Sequence, residues 1–373
     1  MRKKKVAIIY RMDQHGGVQS CVFSLIKGLN KIGIIPDILW DLEPNWKELK
    51  NSGLNAGYKK LRLLVPSLII EKLPYSLRYL AYILCYMDGD VICRDYDFIY
   101  SFYNGIIFNE KSHIYYLSGP PLIKKLVQAK KDLKHIPFKL FQLLYNKLLY
   151  RINPVYEYHQ NSRYVINSNF TSSLFFEEHG VNLPVVHPPI NLPDNNFIIS
   201  DLKYRDTITY FSRIVDYKRP ELVIELAKKY PQYRFVIMGG LSSNRKVYFK
   251  SLQKLAENYG NIIFIPNASY SIVKSELSRT RYYVFPAKNE HFGMTTPEAI
   301  GFGAVPFVHD SGGQIEIVID DRLRFNDNNF FEKFALLAKM TDIELNIIRL
   351  NLLDHIKKYS EDNYIQHLLA YIK

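Results

Sequence analysis

Cysteine is scarce in this chain, and long uncharged hydrophobic runs are missing from it. The 373 residues contain three cysteines, with no CxxC pair and no spacing typical of metal sites. A disulfide framework is therefore not expected, and a reducing compartment such as the cytoplasm is the default. Because no apolar run approaches the ~18 residues that cross a bilayer, we expect no transmembrane helix. The sequence also lacks internal repeats and low-complexity tracts, which excludes repeat proteins and disordered chains.

What is present is enough apolar residues for a large core, together with an excess of positive charge. Hydrophobic residues make up 47% of the chain and charged residues 23%, as in ordinary folded proteins. The length suits two domains. The formal net charge is +13, and residues 1–190 carry 25 Lys and Arg against 15 Asp and Glu. This charge favours an anionic partner: a membrane surface, a nucleic acid or a phosphorylated substrate.

Short apolar runs alternate with helical patterns along the whole chain. In the first half, the patterns predict a helix over Val18–Lys31 and strands over Lys5–Tyr10, Pro36–Trp40, Phe98–Phe102, His113–Leu117, Tyr164–Asn167 and Val185–Val186. In the second half, they predict strands over Ile208–Ser212, Phe235–Met238, Ile262–Ile265, Tyr282–Phe285 and Val305–Val308. Helices are predicted there over Pro220–Lys229, Lys246–Glu257, Ile272–Ser278 and Pro297–Phe302. Such alternation predicts an α/β protein with parallel sheets covered on both faces.

A polar segment with Pro and Asn, Asn191–Asp206, separates the two halves and is interpreted as a linker. We therefore predict one Rossmann-like, doubly wound domain at 1–195 and a second at 205–355. A last helix within 356–373 is predicted to pack back toward the first domain. Two such domains in tandem would face a cleft at the carboxyl ends of their strands, where open α/β folds bind ligands.

The most informative segment is the loop from Glu290 to Glu298, which joins a predicted strand to a predicted helix. It places two carboxylates eight positions apart, with a Gly-containing turn between them. Thr296 suits an N-cap and Pro297 the first helical position, so Glu298 falls in the first helical turn. The unpaired N–H groups of such a loop can face an anion. A ligand with a central phosphate and hydroxyls at both ends fits this arrangement, and a nucleotide-sugar is such a ligand.

Two other strand-to-helix loops carry groups that suit phosphate. Arg213 and Lys218 follow the first strand of the second half and can bind a diphosphate, Arg by its fork and Lys as a point charge. A solvated basic turn is the alternative. Gly16 and Gly17 follow the first strand of the chain, where glycine permits close approach of the backbone to a ligand, although a plain tight turn also explains the pair. All three loops are predicted to face one cleft, which favours a shared ligand.

Together these segments resemble the retaining glycosyltransferases of family 4, which have the GT-B fold. Ser-Arg-x4-Lys at 212–218 is similar to their donor-phosphate motif, and Glu-His-Phe-Gly-x4-Glu at 290–298 is similar to their paired-glutamate motif. Ala299–Pro306 followed by Ser-Gly-Gly at 311–313 continues the similarity. The first half resembles the family more loosely, through Gly16-Gly17 and Val165–Thr171. The resemblance covers most of the chain and is strongest over 207–318.

The resemblance implies a metal-independent, retaining, hexosyltransferase-like enzyme. Its donor would be a UDP- or GDP-linked sugar, with no cofactor and no metal site. The domain at 1–195 would bind the acceptor, and the domain at 205–355 the nucleotide-sugar. The residues carried over as catalytic are Glu290, Arg213 and Lys218. Those carried over as donor-binding are Gly16, Gly17, Asn267, Phe292, Gly293, Met294 and Glu298, with the last expected on the ribose hydroxyls.

One segment departs from the family pattern. Many relatives have Tyr-x-His-x-Pro in the first domain, where this chain has Tyr-Leu-Ser-Gly-Pro at 116–120. Ser118 thus occupies the position of a histidine expected near the donor sugar, and its hydroxyl can form a hydrogen bond but cannot act as an imidazole. His15, beside the Gly-Gly loop, is a candidate substitute as a sugar or acceptor contact, with an ordinary surface histidine as the alternative.

Two basic stretches in the first half suggest where an acceptor is presented. Residues 122–151 contain eight Lys and Arg and one acid, Asp132, with aromatic and aliphatic residues on one helical stripe, and residues 59–86 are similar in character. An amphipathic basic helix can lie on an anionic membrane, although a stripe that faces the protein core is the alternative. We expect peripheral contact with the inner face of the membrane, and a glycan, glycolipid or other cell-envelope acceptor.

Two other functions stay open. A GT-B-fold sugar-nucleotide epimerase or phosphorylase is one, although the paired glutamates disfavour an epimerase and no lysine in a cofactor-like setting supports a phosphorylase. A basic nucleic-acid-binding protein is the other, but the sequence contains no recognisable RNA- or DNA-binding module. No nucleic-acid partner is therefore expected.

Overall fold

The structure is a computed structural model, and it describes residues 4–11, 16–61, 66–70, 94–102, 113–118, 163–190, 192–193 and 201–372. His15, residues 122–151 and most of residues 59–86, for which we predicted ligand or membrane contacts, lie outside these ranges. The chain divides into two compact units, Met1–Pro189 with Glu361–Lys373, and Ile190–Ser360. The first unit reaches residue 189, against a predicted limit of 195, and the second unit spans 190–360, against a predicted 205–355. Among the described residues, no helix is long and apolar enough to span a bilayer.

The described part of the first unit contains one parallel six-stranded sheet. Its strands are β1 (Val6–Ile9), β2 (Asp37–Trp40), β3 (Gly57–Lys60), β4 (Phe98–Ser101), β5 (His113–Leu117) and β6 (Arg163–Ile166), in the order β3-β2-β1-β4-β5-β6. Its helices are α1 (Gly17–Lys31), α2 (Trp46–Asn51), α3 (Ser67–Ile70) and α4 (Asn169–His179). Every residue of β1 is buried, as expected for a central parallel strand with helices on both faces.

The second unit repeats the plan. Its strands are β7 (Thr207–Phe211), β8 (Arg234–Gly239), β9 (Ile262–Pro266), β10 (Thr280–Phe285), β11 (Val305–His309) and β12 (Arg324–Phe325), in the order β12-β11-β10-β7-β8-β9. Its helices are α5 (Glu221–Lys229), α6 (Lys246–Ala256), α7 (Tyr270–Arg279), α8 (Thr295–Gly301), α9 (Gln314–Ile317), α10 (Phe330–Ala338) and α11 (Asp342–Ile356).

In both sheets, the second and third strands of the unit lie on one side of its first strand, and the later strands lie on the other side. In the second unit, β7 lies between β8 and β10 and pairs in parallel with both. The chain therefore winds outward in two directions from β7, and the loops that follow β7 and β10 begin side by side. Ligands of open α/β sheets bind at this reversal point, outside the carboxyl ends of the strands. The prediction of two Rossmann-like, doubly wound domains is confirmed.

The C-terminal helix, α12 (Glu361–Leu369), belongs to the first unit and packs on α1. Gly28 makes close packing possible, because a Cβ at that position would lie 2.4 Å from Cγ2 of Ile365. The Tyr100 hydroxyl donates to the carbonyl of Leu368 at 2.8 Å, which connects the helix to β4. The chain thus leaves the first unit, forms the second and returns.

One predicted strand is wrong. Val185 makes only an isolated parallel bridge with Ile166, and Val185–Val186 forms no strand. Pro184 lies directly before it and lacks the N–H that a ladder of hydrogen bonds requires. The segment instead lies beside β6, at the edge of the sheet.

Candidate functional site

Lys218 and Glu290 form an ion pair at the reversal point of the second sheet. Lys218 ends a short 3-10 turn, Asp216–Lys218, after β7, and Glu290 lies in the loop after β10. Only 8% of the lysine side chain and 17% of the glutamate side chain are exposed. The Lys218 ammonium also lies 5.3 Å from the centroid of the Phe285 ring and 5.6 Å from that of Tyr217. Two residues far apart in the sequence therefore meet where a ligand is expected.

Burial gives Lys218 a pKa well below that of an exposed lysine. It lowers the pKa of Lys218 to about 7, and repulsion from the Arg213 cation contributes in the same direction. The Glu290 carboxylate opposes this shift, because it favours the charged ammonium. A buried ion pair has a large desolvation cost and is weak evidence for stability. A strongly shifted pKa at the edge of a parallel sheet is better evidence for a functional site.

Arg213 lies beside this pair at the surface. Its side chain is exposed, and its guanidinium carbon is 5.8 Å from the centroid of the Tyr217 ring. Its backbone is fixed, because the carbonyl accepts a hydrogen bond of 2.9 Å from the Tyr210 hydroxyl. Arg213 and Lys218 thus present one exposed and one buried cation on the same loop.

The loop that carries Glu290 is held by direct backbone contact with the loop after β11. Glu290 and Gly312 form a parallel bridge, and the Gly313 N–H donates to the Glu290 carbonyl at 2.7 Å. A Cβ on Gly312 would lie 2.4 Å from that carbonyl oxygen, and one on Gly313 would lie 2.3 Å from the carbonyl oxygen of His291. The sequence indicated these glycines only as part of the Ser-Gly-Gly segment at 311–313. In the structure, they make room for the backbone of the Glu290 loop.

The start of α8 differs from its predicted form. The helix begins at Thr295, and Met294, not Thr296, occupies the N-cap position, without a side-chain cap. Both threonine hydroxyls are used by tertiary contacts instead: Thr295 Oγ1 lies 2.6 Å from the Tyr283 hydroxyl, and Thr296 Oγ1 donates to Gln314 at 3.5 Å. Tertiary hydrogen bonds thus override the local capping preference of threonine.

Two other residues of this loop have clear structural roles. Phe292 is 2% exposed, and its ring packs edge-on against Tyr359, so its side chain belongs to the core. Gly293 has a φ of 92°, which other residues rarely adopt, and its carbonyl accepts from the Thr296 N–H at 2.9 Å. In the predicted contacts of Phe292–Met294 with a donor, the contacting atoms are therefore backbone groups of this sharply turned loop.

Glu298 lies in the first turn of α8 and is nearly inaccessible. It is 8% exposed, and its Oε1 has no hydrogen-bond partner within the described part of the chain. Burial raises the pKa of Glu298 to about 7, while a hydrogen bond from Tyr270 and the charge of Lys274, both on α7, act in the opposite direction. A buried carboxyl oxygen without a partner is costly, so a donor that reaches it from a ligand would bind favourably.

Glu298→Gln is expected to make thermal stability less dependent on pH. The pKa of Glu298 rises from 4.5 in the unfolded chain to about 7 in the folded one, so the protonated form is favoured by folding. Its contribution to stability is full below about pH 4.5 and is lost as the pH rises through 7; a shift of this size corresponds to about 3 kcal/mol.

The measurement is the unfolding temperature of wild type and variant at both ends of this range. The neutral Gln variant is expected to unfold at a higher temperature than the wild type at about pH 8, and at a similar temperature at about pH 4.5. A difference that is the same at both pH values would show that Glu298 is not a desolvated carboxyl.

Asn267 connects two neighbouring loops. Its backbone has a φ of 55°, and its N–H donates to the Gly239 carbonyl at 2.8 Å. Its side-chain amide accepts from the Leu241 N–H at 2.8 Å and donates to the Leu241 carbonyl at 3.3 Å. The amide therefore shapes the loop after β8, and contact with a nucleobase stays a prediction.

In the first unit, the predicted residues lie on loops at the carboxyl ends of the strands. Gly16 is the N-cap of α1, with a φ of 156°, and a Cβ there would meet nothing within 4 Å. Gly17 is the first residue of the helix, and Ser118 follows β5, half-buried, with its carbonyl accepting from the Asn167 side chain at 3.0 Å. Within the described ranges, no group of three or more His, Cys, Asp and Glu side chains could hold a metal ion.

The family comparison matches the second unit. The family model described as "Glycosyl transferases group 1" matches residues 195–358. Alpha-1,3/1,6-mannosyltransferase ALG2 of Kluyveromyces lactis is 26% identical over 200 residues, which are 42% of this chain and 40% of the relative. Lipopolysaccharide core biosynthesis mannosyltransferase LpcC of Rhizobium leguminosarum is 25% identical over 149 residues, 38% of this chain and 42% of the relative. The chain thus spans about two fifths of these relatives.

Solved structures match the whole chain. The structure of HepE from Anabaena in complex with UDP and glucose has a TM-score of 0.67 and 14% identity, and covers 99% of both chains. The structure of WaaG, a glycosyltransferase involved in lipopolysaccharide biosynthesis, has a TM-score of 0.65 and 14% identity, and covers 98% of both. At this level of identity, the likeness establishes the fold, which is GT-B.

Proposed function

We propose that this protein is a retaining glycosyltransferase of family 4, and the match of residues 195–358 to the family model of glycosyl transferases group 1 supports this. It moves a sugar from a nucleotide-sugar to a glycan, glycolipid or other cell-envelope acceptor. The observation that carries the proposal is the buried Lys218–Glu290 pair at the reversal point of the second sheet. An enzyme that separates a sugar from a diphosphate needs a cation and a hydroxyl acceptor side by side, and this pair supplies both.

Donor binding exchanges the partners of this ion pair. The diphosphate forms an ion pair with the Lys218 ammonium, and Arg213 supplies a second cation from the same loop. The sugar hydroxyls donate hydrogen bonds to Glu290. Both groups then keep a partner in a poorly hydrated site, which avoids the cost of an isolated buried charge. Glu298, whose Oε1 has no hydrogen-bond partner among the residues that the structure describes, accepts from the ribose hydroxyls.

The reaction places negative charge on the departing nucleoside diphosphate. The bond between the sugar C1 and the phosphate oxygen breaks with its electron pair on that oxygen. The acceptor hydroxyl attacks C1 from the same face and its proton passes to the departing phosphate, so the configuration at C1 is retained. Lys218, Arg213 and the N–H groups of the Glu290 loop stabilise the developing charge, because they are positioned before it forms. In this proposal, these cations do the work that a metal ion does in other enzymes.

The relatives support the substrate classes. The relatives ALG2 and LpcC are named as mannosyltransferases, and the HepE structure contains UDP and glucose. A UDP- or GDP-linked hexose is therefore the proposed donor. The name of LpcC refers to lipopolysaccharide core biosynthesis, which supports a cell-envelope acceptor. A cytoplasmic location with peripheral contact to the membrane is proposed from the basic stretch at 122–151, on sequence alone.

A thermal-shift panel tests this proposal. UDP, GDP and their hexose conjugates are added to the protein, and one nucleotide class is expected to stabilise it by about 2.7 kcal/mol at a hundred times its Kd. The stabilising nucleotide-sugar is then assayed for hydrolysis and transfer, and NMR of the product identifies the anomer, expected to be that of the donor. Stabilisation by no nucleotide, with tight binding of an oligonucleotide, would favour a nucleic-acid-binding protein instead.

A further inference from the structure

Asp327, in the loop after β12, holds three side chains that come from the ends of β7, β10 and β11. Its Oδ1 accepts from Arg219 Nη1 at 2.9 Å, and its carboxylate forms an ion pair with Lys288. Nε2 of His309, the last residue of β11, lies 3.5 Å from Oδ1. We name these four residues the Asp327 cluster. One carboxylate thus connects the three loops that build the candidate site.

Two members of the cluster are close in sequence to the buried ion pair. Arg219 directly follows Lys218, and Lys288 precedes Glu290 by two residues. The Arg219 guanidinium also donates to the Pro286 carbonyl at 3.3 Å, so it connects the loop after β7 to the end of β10. Movement of Asp327 would therefore release both loops.

The backbone next to the ion pair is strained on both sides. Arg219 has a φ of 58° and Asn289 a φ of 48°, in the left-handed region that non-glycine residues seldom occupy. Such conformations persist where surrounding contacts determine them. The contacts on Arg219 and on Asn289 come from the Asp327 cluster and from Ser311.

A second connection runs from Asp327 through His309 and Ser311. The Asn289 N–H donates to Ser311 Oγ at 2.9 Å, and Ser311 Oγ lies 2.8 Å from His309 Nδ1. Because Oγ accepts from Asn289, its own proton is available to Nδ1, which leaves the ring proton on Nε2, facing Asp327. Burial lowers the pKa of His309. The Asp327 charge raises this pKa, whereas the Arg219 and Lys288 charges lower it further. The neutral ring, with its proton on Nε2, is therefore favoured.

We propose that Asp327 is a positioning residue that fixes Lys218 and Glu290 from outside the site. One branch passes through Arg219 and Lys288, and the other through His309 and Ser311 to Asn289. This inference rests on the proposed function, since it takes the Lys218–Glu290 pair as the group that binds the donor. Asp327 does not contact the substrate in this scheme; it sets the distance between the residues that do.

Two variants separate the branches. Asp327→Asn keeps the size of the side chain and removes its charge, so both branches loosen, and the affinity for UDP or GDP and the turnover are each expected to fall about tenfold. Ser311→Ala breaks only the second branch, because it removes the hydroxyl that connects His309 to Asn289, beside Glu290. It is expected to lower turnover about tenfold, while the affinity for the nucleoside diphosphate stays within about twofold.

Controls guard against a general loss of structure. Asp354→Asn removes the carboxylate of an exposed ion pair with Lys357 in the same unit, and wild-type turnover is expected. Asp327→Glu restores the charge on a longer side chain and is expected to recover part of both losses. Affinities come from calorimetry and turnover from donor hydrolysis.

The possible results distinguish a failure of the positioning role of Asp327 from a failure of the proposed function. Wild-type affinity and turnover in Asp327→Asn and Ser311→Ala would overturn the positioning role, as would an equal loss in Asp354→Asn. If Asp327→Asn does not fold, Ser311→Ala decides alone, and unchanged turnover overturns the proposal. A wild-type protein that binds no nucleoside diphosphate and hydrolyses no nucleotide-sugar would instead overturn the proposed function.

Discussion

Replacing Glu290 or Lys218 with Ala is expected to lower turnover of the nucleotide-sugar by about a hundredfold or more. In the proposed function, each change removes a group that contacts the reacting part of the donor: the sugar hydroxyls for Glu290, the diphosphate for Lys218. The two residues act as a unit, so the double variant Lys218→Met/Glu290→Gln is expected to lose little more than either single one. The measurement is donor hydrolysis and transfer by each purified variant.

Folding must be separated from chemistry in this experiment. Glu290→Ala leaves the buried Lys218 without its partner, which can be strongly destabilising. The unfolding temperature of each variant is therefore measured beside its turnover, at the pH of the wild-type assay. The double variant removes both charges and keeps the side-chain volume.

A matched ion pair provides the control. Lys228 and Glu225 form an ion pair of 2.6 Å on α5, in the same unit, with greater exposure of both side chains. Lys228→Ala and Glu225→Ala are expected to keep wild-type turnover, because exposed pairs contribute little. Near-normal activity in both Lys218→Ala and Glu290→Ala would rule out this pair as the donor site.

Gly312→Ala is expected to have the second largest effect, on stability and activity together. The added Cβ would lie 2.4 Å from the carbonyl oxygen and 2.6 Å from the nitrogen of Glu290, both backbone atoms that no side-chain rotation can move away. The φ of 76° at this position is also unfavourable for alanine. Together these effects are expected to cost on the order of 3 kcal/mol of unfolding free energy. The displaced Glu290 loop is expected to lose about a hundredfold in turnover.

Gly260→Ala is the control for this substitution. A Cβ there would meet nothing within 4 Å, so its stability and turnover are expected to stay close to wild type. Denaturant unfolding measures the stability, and donor hydrolysis the activity. If Gly312→Ala were as stable and active as Gly260→Ala, the backbone contact between the two loops would not position Glu290.

The fold and the components of the candidate site could be predicted from the sequence, because both depend on local patterns. Apolar runs and helical periodicity determine the alternation of strands and helices. Arg213 and Lys218 lie within one short segment, as do Glu290 and Glu298. The contact between Lys218 and Glu290 depends instead on strand order. No local pattern shows that β7 and β10 are neighbours in the sheet.

Other features had weak or misleading local signals. Thr296 is a residue type that is common at N-caps, but its hydroxyl donates a hydrogen bond to Gln314 instead. The helix α11 was not predicted, although Thr341 and Glu344 form a capping box at its start. Its apolar residues lie on both faces, with Ile343 74% exposed, so no amphipathic pattern marks it.

Asp327 was missed because its role is visible only in three dimensions. It lies in the sequence Asn-Asp-Asn-Asn at 326–329, which is typical of a loop. Lys288 and His309 likewise belong to no motif. Positioning residues of this kind act through tertiary contacts, so their sequence surroundings need no particular pattern.

The most direct test is a crystal structure of the protein with bound UDP or GDP. We expect the diphosphate at the carboxyl ends of β7 and β10, within hydrogen-bond distance of Lys218 and Arg213, and the ribose beside Glu298. A diphosphate bound elsewhere on the chain, with the Lys218–Glu290 pair intact and without contact to the nucleotide, would contradict the proposed site.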